Sequence, residues 1–542
     1  MNRRFLYTGL AVMFSLGAIA QDQNAIKFSK TINKDRGYDH LSILASDEYE
    51  GRETGKKGAW MAAEYIKKQF QGFGLKGPVK DSKDPYFQPV GLITNDVAEA
   101  KFSVNGKAKK LFTDFVIPNG SVPATGLSLE ASEVIFAGYG ITAEGYDDFA
   151  GISAEGKVVM VFSSGDPIAK VATDAPANPR AAMLARQKMM TNLMKAKPKA
   201  VLFVDMNFDK TPEFQKAASM AGRIALKKAA NAAPAPQRGT PLTSITISPA
   251  LANEILKASN TTVEALAKKI NDSKTPSSST SKINLSASAA KKETAVRGEN
   301  VLGFLEGSDP VLKNEVLVIT GHYDHIGLVT DPKATDKVNN GADDDGSGTT
   351  GVLLLAEAFM NAKKAGNGPK RSILFMTVIG EEKGLLGSAW YADNPVFPIA
   401  NTITNLNIDM IGRGDDDRPG DNNFIYIIGS NMLSDDLDRI GKKANADYVN
   451  ITLDEKYNNR TDPNQFYYRS DHYNFAKFGI PVIFYFNGVH KDYHQPGDEV
   501  SKIDFPMLAK RAQLVYFTAW ELANGANRPV VNKNEDGTPK TK

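Results

Sequence analysis

The sequence predicts an α/β protein with a mostly parallel central sheet flanked by helices, interrupted by a smaller β-rich domain. Three observations carry this reading. Apolar runs of strand length alternate with helical patterns from residue 301 onward. A long segment before them breaks that alternation with shorter apolar runs and low-complexity stretches. The 542 residues also exceed the roughly 250–300 at which a single core stops growing, so more than one domain is required.

The strands are expected at 301–305, 315–320, 372–379, 402–410, 423–428 and 481–486, and the helices between and after them at 347–363, 384–392, 434–444, 471–478 and 505–523. An earlier helix at 57–70 repeats Ala59, Met61, Ala62, Tyr65, Ile66 and Phe70 at helical spacing and stops at Gly72 and Gly74. These elements make one α/β domain from residues 28–87 and 298–525. The insert, 88–297, has apolar runs only at 133–136, 157–162, 200–203 and 243–247, separated by Ala-, Pro-, Ser- and Thr-rich stretches at 229–236 and 273–288. Residues 526–542 are polar and are expected to form a frayed tail.

Composition excludes several classes. A hydrophobic content of 42% with 23% charged residues is that of an ordinary globular chain, and a net charge of +3 gives no electrostatic grip on nucleic acid. Residues 1–20 combine Arg3 and Arg4, an apolar stretch and the small-residue pattern Ala18-Ile19-Ala20, which reads as a secretory signal peptide cleaved after Ala20. The expected product is exported, periplasmic or extracellular, without stable membrane association after cleavage. The absence of cysteine excludes disulfides, thiol catalysis and thiolate metal sites. Linear order says nothing of the oligomeric state.

The chemistry gathers between residues 322 and 494, where five of the six histidines fall. His322 follows a strand, and Asp324 two residues later is a candidate acceptor to orient a metal-bound imidazole. Asp343-Asp344-Asp345 opens a helix, and three adjacent carboxylates repel unless a cation or a helix N-terminus relieves them. Glu381 and Glu382 follow the next strand, where a metal would account for one carboxylate and leave the other to act as a base. Asp409 ends a further strand, and His494 follows the last one by a short loop. Open α/β sheets collect their sites at such carboxyl ends, and imidazoles with carboxylates suit zinc or a similar divalent ion.

In order, Gly321-His322-Tyr323-Asp324, the Asn340 to Gly348 run, Glu381 to Ser388, Asn407 to Met410, Arg469-Ser470-Asp471-His472 and Tyr493-His494 resemble the successive motifs of the dizinc aminopeptidase family, metallopeptidase family twenty-eight. The resemblance covers about 300–500. It implies two zinc ions, one held by His322, Asp344 and Asp409 and the other by Asp344, Glu382 and His494, with Asp344 bridging. It further implies Glu381 as the general base acting on a metal-bridged water, and Asp324 as the residue orienting His322. The run from Val134 to Ile141 resembles the protease-associated domain inserted in larger members, a lid or substrate-access module. One departure stands out: smaller relatives carry cysteines beside the Ser-Asp-His motif, where this chain has Tyr468-Arg469.

The implied function is a secreted zinc aminopeptidase that releases N-terminal residues from peptides. Two alternatives stay open at this point. A carboxypeptidase or glutaminyl cyclase would keep the metal site and change the reaction, and a receptor-like relative would keep the fold and lack catalysis.

Overall fold

Three seven-residue runs without a carboxylate, ammonium or guanidinium, Val316–His322, Ser372–Val378 and Thr402–Ile408, are buried along their whole length in a computed structural model of the chain. Burial on both faces is what a central parallel strand requires: the first two runs are largely apolar, while the third buries Thr404, Asn405 and Asn407 by hydrogen-bonding their side chains. The structure describes residues 21–169, 179–227 and 242–540, so the expected signal peptide at 1–20 and the stretch 229–236 lie outside the described residues. The chain divides into two compact units, one of residues up to 91 and from 297 onward, the other Leu92–Val296.

The first unit is built on an eight-stranded sheet: β1 (Phe87–Pro89), β2 (Glu299–Leu305), β3 (Val316–His322), β4 (Ser372–Val378), β5 (Thr402–Ile408), β6 (Phe424–Ile428), β7 (Thr452–Asp454) and β8 (Val482–Phe486). Their spatial order is β1-β2-β4-β3-β5-β8-β6-β7. The four central strands β4, β3, β5 and β8 run parallel, while β2 joins β4 and β6 joins β8 antiparallel. β3 continues two residues past the apolar run, because Gly321 and His322 still pair with Thr377 and Val378. The short β1 and β7 have too few residues to show any periodicity in the sequence.

Helices Gly348–Lys364 and Phe505–Asn524 pack together through Phe359, whose ring centroid lies 4.8 Å from that of Tyr516 and 5.8 Å from that of Trp520. The second of these helices is started by Asp504, whose side chain accepts from Met507 N, followed by Pro506 in the first turn, where a missing N–H does no harm. Helix Lys57–Phe73 runs three residues past its expected end and stops at Gly74, which adopts φ +96°. The polar tail differs from expectation. Asn532 N and Lys533 N both donate to Leu433 O, and Arg460 Nε donates to Glu535 O at 2.6 Å, so the segment is tied down by polar pairing rather than by apolar burial. No helix of the described residues is long and apolar enough to cross a membrane.

The second unit is rich in β structure. Strands Leu92–Val104, Ser278–Val296 and Leu127–Ala137 pair antiparallel, and Leu127–Ala137, Val158–Phe162, Ala200–Val204 and Ser244–Ile247 continue the sheet in parallel. It also carries helices Pro179–Ala196, Glu213–Met220, Pro249–Leu256 and Val263–Ser273, which the sequence patterns did not reveal. Its low-complexity stretch becomes a central strand: Ser281, Ile283, Leu285, Ala287 and Ala289 are buried, and the residues between them are exposed. Small side chains hide a regular two-residue period.

The ring packing of the first unit makes a testable statement. All three tryptophans, Trp60, Trp390 and Trp520, lie in this unit, so their fluorescence reports on it alone. Phe359→Ala should lower its unfolding free energy by about 3–5 kcal/mol in a urea titration followed by tryptophan emission; an unchanged midpoint would mean that these rings do not hold the two helices together.

Candidate metal centre

The consecutive acids Asp343, Asp344 and Asp345 are all buried, and three separate fates resolve their repulsion. Asp345 accepts from His322 N, Gly348 N and Met410 N at 2.8 to 3.0 Å, which ties the end of β3, the start of a helix and the end of β5 to one carboxylate. Asp343 accepts from Ser347 Oγ, Gly412 N and Asn487 Nδ2. Asp344, between them, accepts no backbone amide. Its Oδ1 faces His322 Nε2 at 3.4 Å, and its Oδ2 faces His494 Nε2 at 3.1 Å. The side chains on either side are pinned by donors, and that of Asp344 is left to the imidazoles.

Two glycines make this packing feasible. A Cβ on Gly348 would stand 2.2 Å from Asp345 Oδ1 and 2.3 Å from Ile408 O. Gly341 holds φ +56°, and a Cβ there would meet Asp344 O at 2.3 Å.

Two ligand groups form around Asp344. In one, His322, Glu381 and Asp409 bring potential ligand atoms within 4.8 Å of one another; in the other, His325, Asp344 and Glu382 do the same. His322 Nε2 stands 3.6 Å from Asp409 Oδ1 and 3.8 Å from Glu381 Oε2. His494 Nε2 stands 3.2 Å from Glu382 Oε2. The structure therefore brings His322, Asp344, Glu381, Glu382, Asp409 and His494 together from five separate stretches of sequence. His325, left unassigned by the sequence, sits closer than expected, with Nδ1 2.9 Å from Glu382 Oε1. His472 and His490 do not join: His472 stacks on Phe484, and His490 faces Asp343.

Asp324 is present at the site but works differently from the sequence expectation. The His322 Nδ1 contact at 3.0 Å is to the backbone oxygen of Asp324, while the nearer carboxylate oxygen lies at 3.8 Å. The carboxylate instead accepts from Thr54 Oγ1 at 2.6 Å and from Glu381 N at 3.2 Å. It anchors the loop bearing Glu381.

Further support was not apparent in the sequence. Arg52, 1% exposed, donates to the carbonyls of Tyr323, Leu44, Asn340 and Gly341 and so clamps the acidic loop to the N-terminal segment. Ser470 Oγ donates to Asp409 Oδ2 at 2.6 Å and accepts from Asn407 Nδ2, whose Oδ1 accepts from Thr320 Oγ1. Asp498 accepts from the amides of Asp343 and Asp344. A buried arginine or a hydroxyl beside a carboxylate has no periodicity, and only three-dimensional proximity gives it away.

The electrostatics are those of a site short of positive charge. Burial alone would push the His322 imidazole down, but Glu381, Asp409 and Asp344 outweigh it and hold it well above its ordinary value. Burial likewise opposes protonation of His494, yet Asp344 and Glu382 push it up to about 10. Asp344 would be raised by burial, but His322 and His494 hold it well below the usual carboxylate range. Glu381 moves the other way: burial, with Glu382 and Asp409 beside it, lifts it well above a normal glutamate despite His322. The imidazoles are thus drawn into the role of cations.

Asp344 Oδ2, Glu382 Oε1 and His494 Nε2 are buried without a hydrogen-bond partner, so three polar atoms converge with their bonding capacity unfilled. Imidazole and carboxylate donors with no thiolate fit a divalent ion of borderline to hard character. Beside the cluster lies a cavity of about 40 Å³ walled by Met410, Phe466, Phe484 and Phe486, with Arg469 and Tyr493 among its other lining residues.

Residues 300–519 match the family described as Peptidase family M28. The chain is 30% identical over 267 residues to a probable zinc metalloprotease of Pyrenophora teres f. teres, covering 42% of this chain and 52% of that protein. It is 28% identical over 254 residues to leupeptin-inactivating enzyme 1 of Streptomyces exfoliatus, covering 43% and 50%. The chain thus spans about half the length of these curated relatives. Among solved structures, an aminopeptidase from Aneurinibacillus sp. strain AM-1 superposes with a TM-score of 0.48 at 18% identity, covering 96% of this chain and all of the other. The site residues His322 to His494 all lie inside the span, residues 300–519, that matches peptidase family M28.

Proposed function

We propose that the protein is a zinc-dependent aminopeptidase that removes N-terminal residues from peptides. The observation that carries this reading is the divided aim of Asp344: its Oδ1 faces His322, a member of one ligand group, and its Oδ2 faces His494, which stands 3.2 Å from Glu382 of the other. His322, Asp344 and Asp409 would hold one zinc ion, and Asp344, Glu382 and His494 would hold the other. When bound, the two ions polarise the scissile carbonyl and lower the pKa of the attacking water. The name of the Pyrenophora relative, a zinc metalloprotease, supports the choice of metal.

Glu381 acts as general base: it removes a proton from the attacking water and returns it to the departing amine nitrogen as the carbon–nitrogen bond breaks. Its backbone is fixed through Asp324 and Thr54, which keeps the carboxylate within reach of the reacting atoms. The neighbouring cavity of about 40 Å³ has room for roughly three water-sized groups, the scale of one side chain. A cavity of that size takes one residue rather than a length of chain, which favours attack next to a chain terminus. A bridging Asp344 also argues against a cyclase reading that works with one zinc. Every residue of the implied catalytic set is present, which argues against a receptor-like relative.

We further propose that the chain is exported through its N-terminal segment and that Leu92–Val296 is a protease-associated-like module that governs substrate access.

Four measurements test this reading. Aminoacyl fluorogenic substrates with a free N-terminus should be cleaved and their acetylated counterparts should not; equal rates on both would overturn the aminopeptidase assignment. Glu381→Gln should lower kcat by about 10²–10⁴-fold while metal content, read by mass spectrometry, stays at two zinc ions per chain. Asp344→Ala should lose both ions and His494→Ala one, and chelation should destabilise the wild type by about 4 kcal/mol per ion where free zinc had exceeded its Kd roughly a thousandfold. Finally, Thr54→Val should lower kcat roughly tenfold with zinc retained, since it unpins Asp324 and with it the Glu381 loop; wild-type kcat in that variant would deny Thr54 its positioning role.

A further inference from the structure

Arg469 is the one arginine or lysine lining the cavity beside His322 and Glu381, and its charge is uncommitted. Among the described residues it forms no ion pair; its only polar contact is a long one, Nη1 to Asn464 O at 3.5 Å, and it is exposed to solvent. Other arginines of the same unit are engaged: Arg413 pairs with Asp492 at 2.9 Å and Arg371 with Glu315 at 2.6 Å. The guanidinium of Arg469 lies 4.8 Å from the ring centroid of Phe466, a wall of the cavity. A guanidinium that rests over an aromatic ring and is drawn to no acid keeps donors available, and its planar fork matches a carboxylate.

The rest of the cavity offers no equivalent. Met410, Phe484, Phe486 and Val489 are apolar, and the remaining polar lining is mainly the acidic cluster itself. An uncharged substrate gains nothing from an arginine here, whereas a carboxylate close to the scissile bond meets an unpaired fork over a ring that excludes water on one side.

We propose that Arg469 is a specificity-determining residue that binds a substrate carboxylate at the mouth of the site. This rests on the exopeptidase reading above and narrows it to peptides that carry a carboxylate within one residue of the bond cut. The carboxylate has two possible sources: an acidic side chain on the first residue, or the free C-terminus of a dipeptide.

Two matched pairs separate the sources: glutamyl against glutaminyl methylcoumarin amide, and leucyl-glycine against leucyl-glycinamide. Each is measured on the zinc-loaded full chain as wild type, Arg469→Gln and Arg469→Lys. In the wild type the carboxylate-bearing member of at least one pair should be favoured in kcat/KM by roughly five- to tenfold, mainly through KM, as charge-assisted hydrogen bonds at a half-open site allow. Arg469→Gln should bring that ratio to about one or below, and Arg469→Lys should leave an intermediate ratio because the charge remains and the fork is lost. The responding pair names the source. If neither pair favours its carboxylate, or if Arg469→Gln leaves both ratios unaltered, the proposal is overturned. If none of the four compounds is cleaved, the exopeptidase reading fails instead, and the same compounds become ligands for calorimetric titration. A carboxylate preference that disappears in Arg469→Gln then upholds the receptor, and equal binding of both members of each pair overturns it.

Discussion

A buried carboxylate is tolerable only when its lone pairs are filled, and the first unit depends on how three adjacent ones are filled differently. Asp345 takes three backbone amides, and Asp343 takes a hydroxyl, an amide and a side-chain amide. Those bonds fix the positions of β3, β5 and the helix Gly348–Lys364 relative to one another. They also fix the backbone between them, so Asp344 has no freedom to seek donors of its own. Its oxygens can only face the imidazoles, and its charge can be balanced only there. The strain of like charges has been moved from the outer two residues, where amides absorb it, to the central one, where a cation is needed.

The sheet supplies the remaining ligands by topology. The parallel strands lie in the order β4, β3, β5, β8. Past their carboxyl ends stand, in the same order, Glu381 with Glu382, His322, Asp409 and His494. Four adjacent parallel strands each deliver one station to the same edge, so ligands separated by up to 172 positions in sequence need only short loops to meet. Without the antiparallel β6 beside β8, the sheet edge would fall immediately next to the strand that leads to His494. The peripheral strands protect the site's framework and contribute no ligand.

This division explains what could be read from the sequence. Buried parallel strands write themselves as continuous apolar runs, and a ligand at a strand end stands out as a polar residue closing such a run; His322, Asp409 and the Glu381-Glu382 pair were legible for that reason. Thr54 was not, because its contact with Asp324 spans 270 positions and a threonine has no pattern that announces a carboxylate partner. Arg52 was hidden in the same way, since its four acceptors are backbone carbonyls and carbonyls carry no sequence. Asp324 was found but given the wrong partner: the sequence distance to His322 suggested a side-chain contact, while folding turned its backbone oxygen to the imidazole and its carboxylate to Glu381 N. In the insert, Ser281 to Ala289 was misread because serine and alanine disguise alternation that Val and Ile would have displayed.

The site has two tiers with different tolerance for change. Asp343, Asp345, Arg52 and Asp324 are buried, and each is bound by several groups, so altering any of them strands polar partners and costs roughly 1–3 kcal/mol for each partner left unpaired. The cation cluster inherits its geometry from them and can vary little. Arg469 is the opposite case. It lines the same cavity from its rim, and a substitution would abandon only a long contact to Asn464 O and the face of Phe466. An exposed side chain of this kind can be exchanged at little cost in stability, since surface positions usually move it by less than about 0.5 kcal/mol. Selectivity can therefore change at the rim without disturbing the reaction, because the bonds that aim Asp344 and Glu381 do not pass through it.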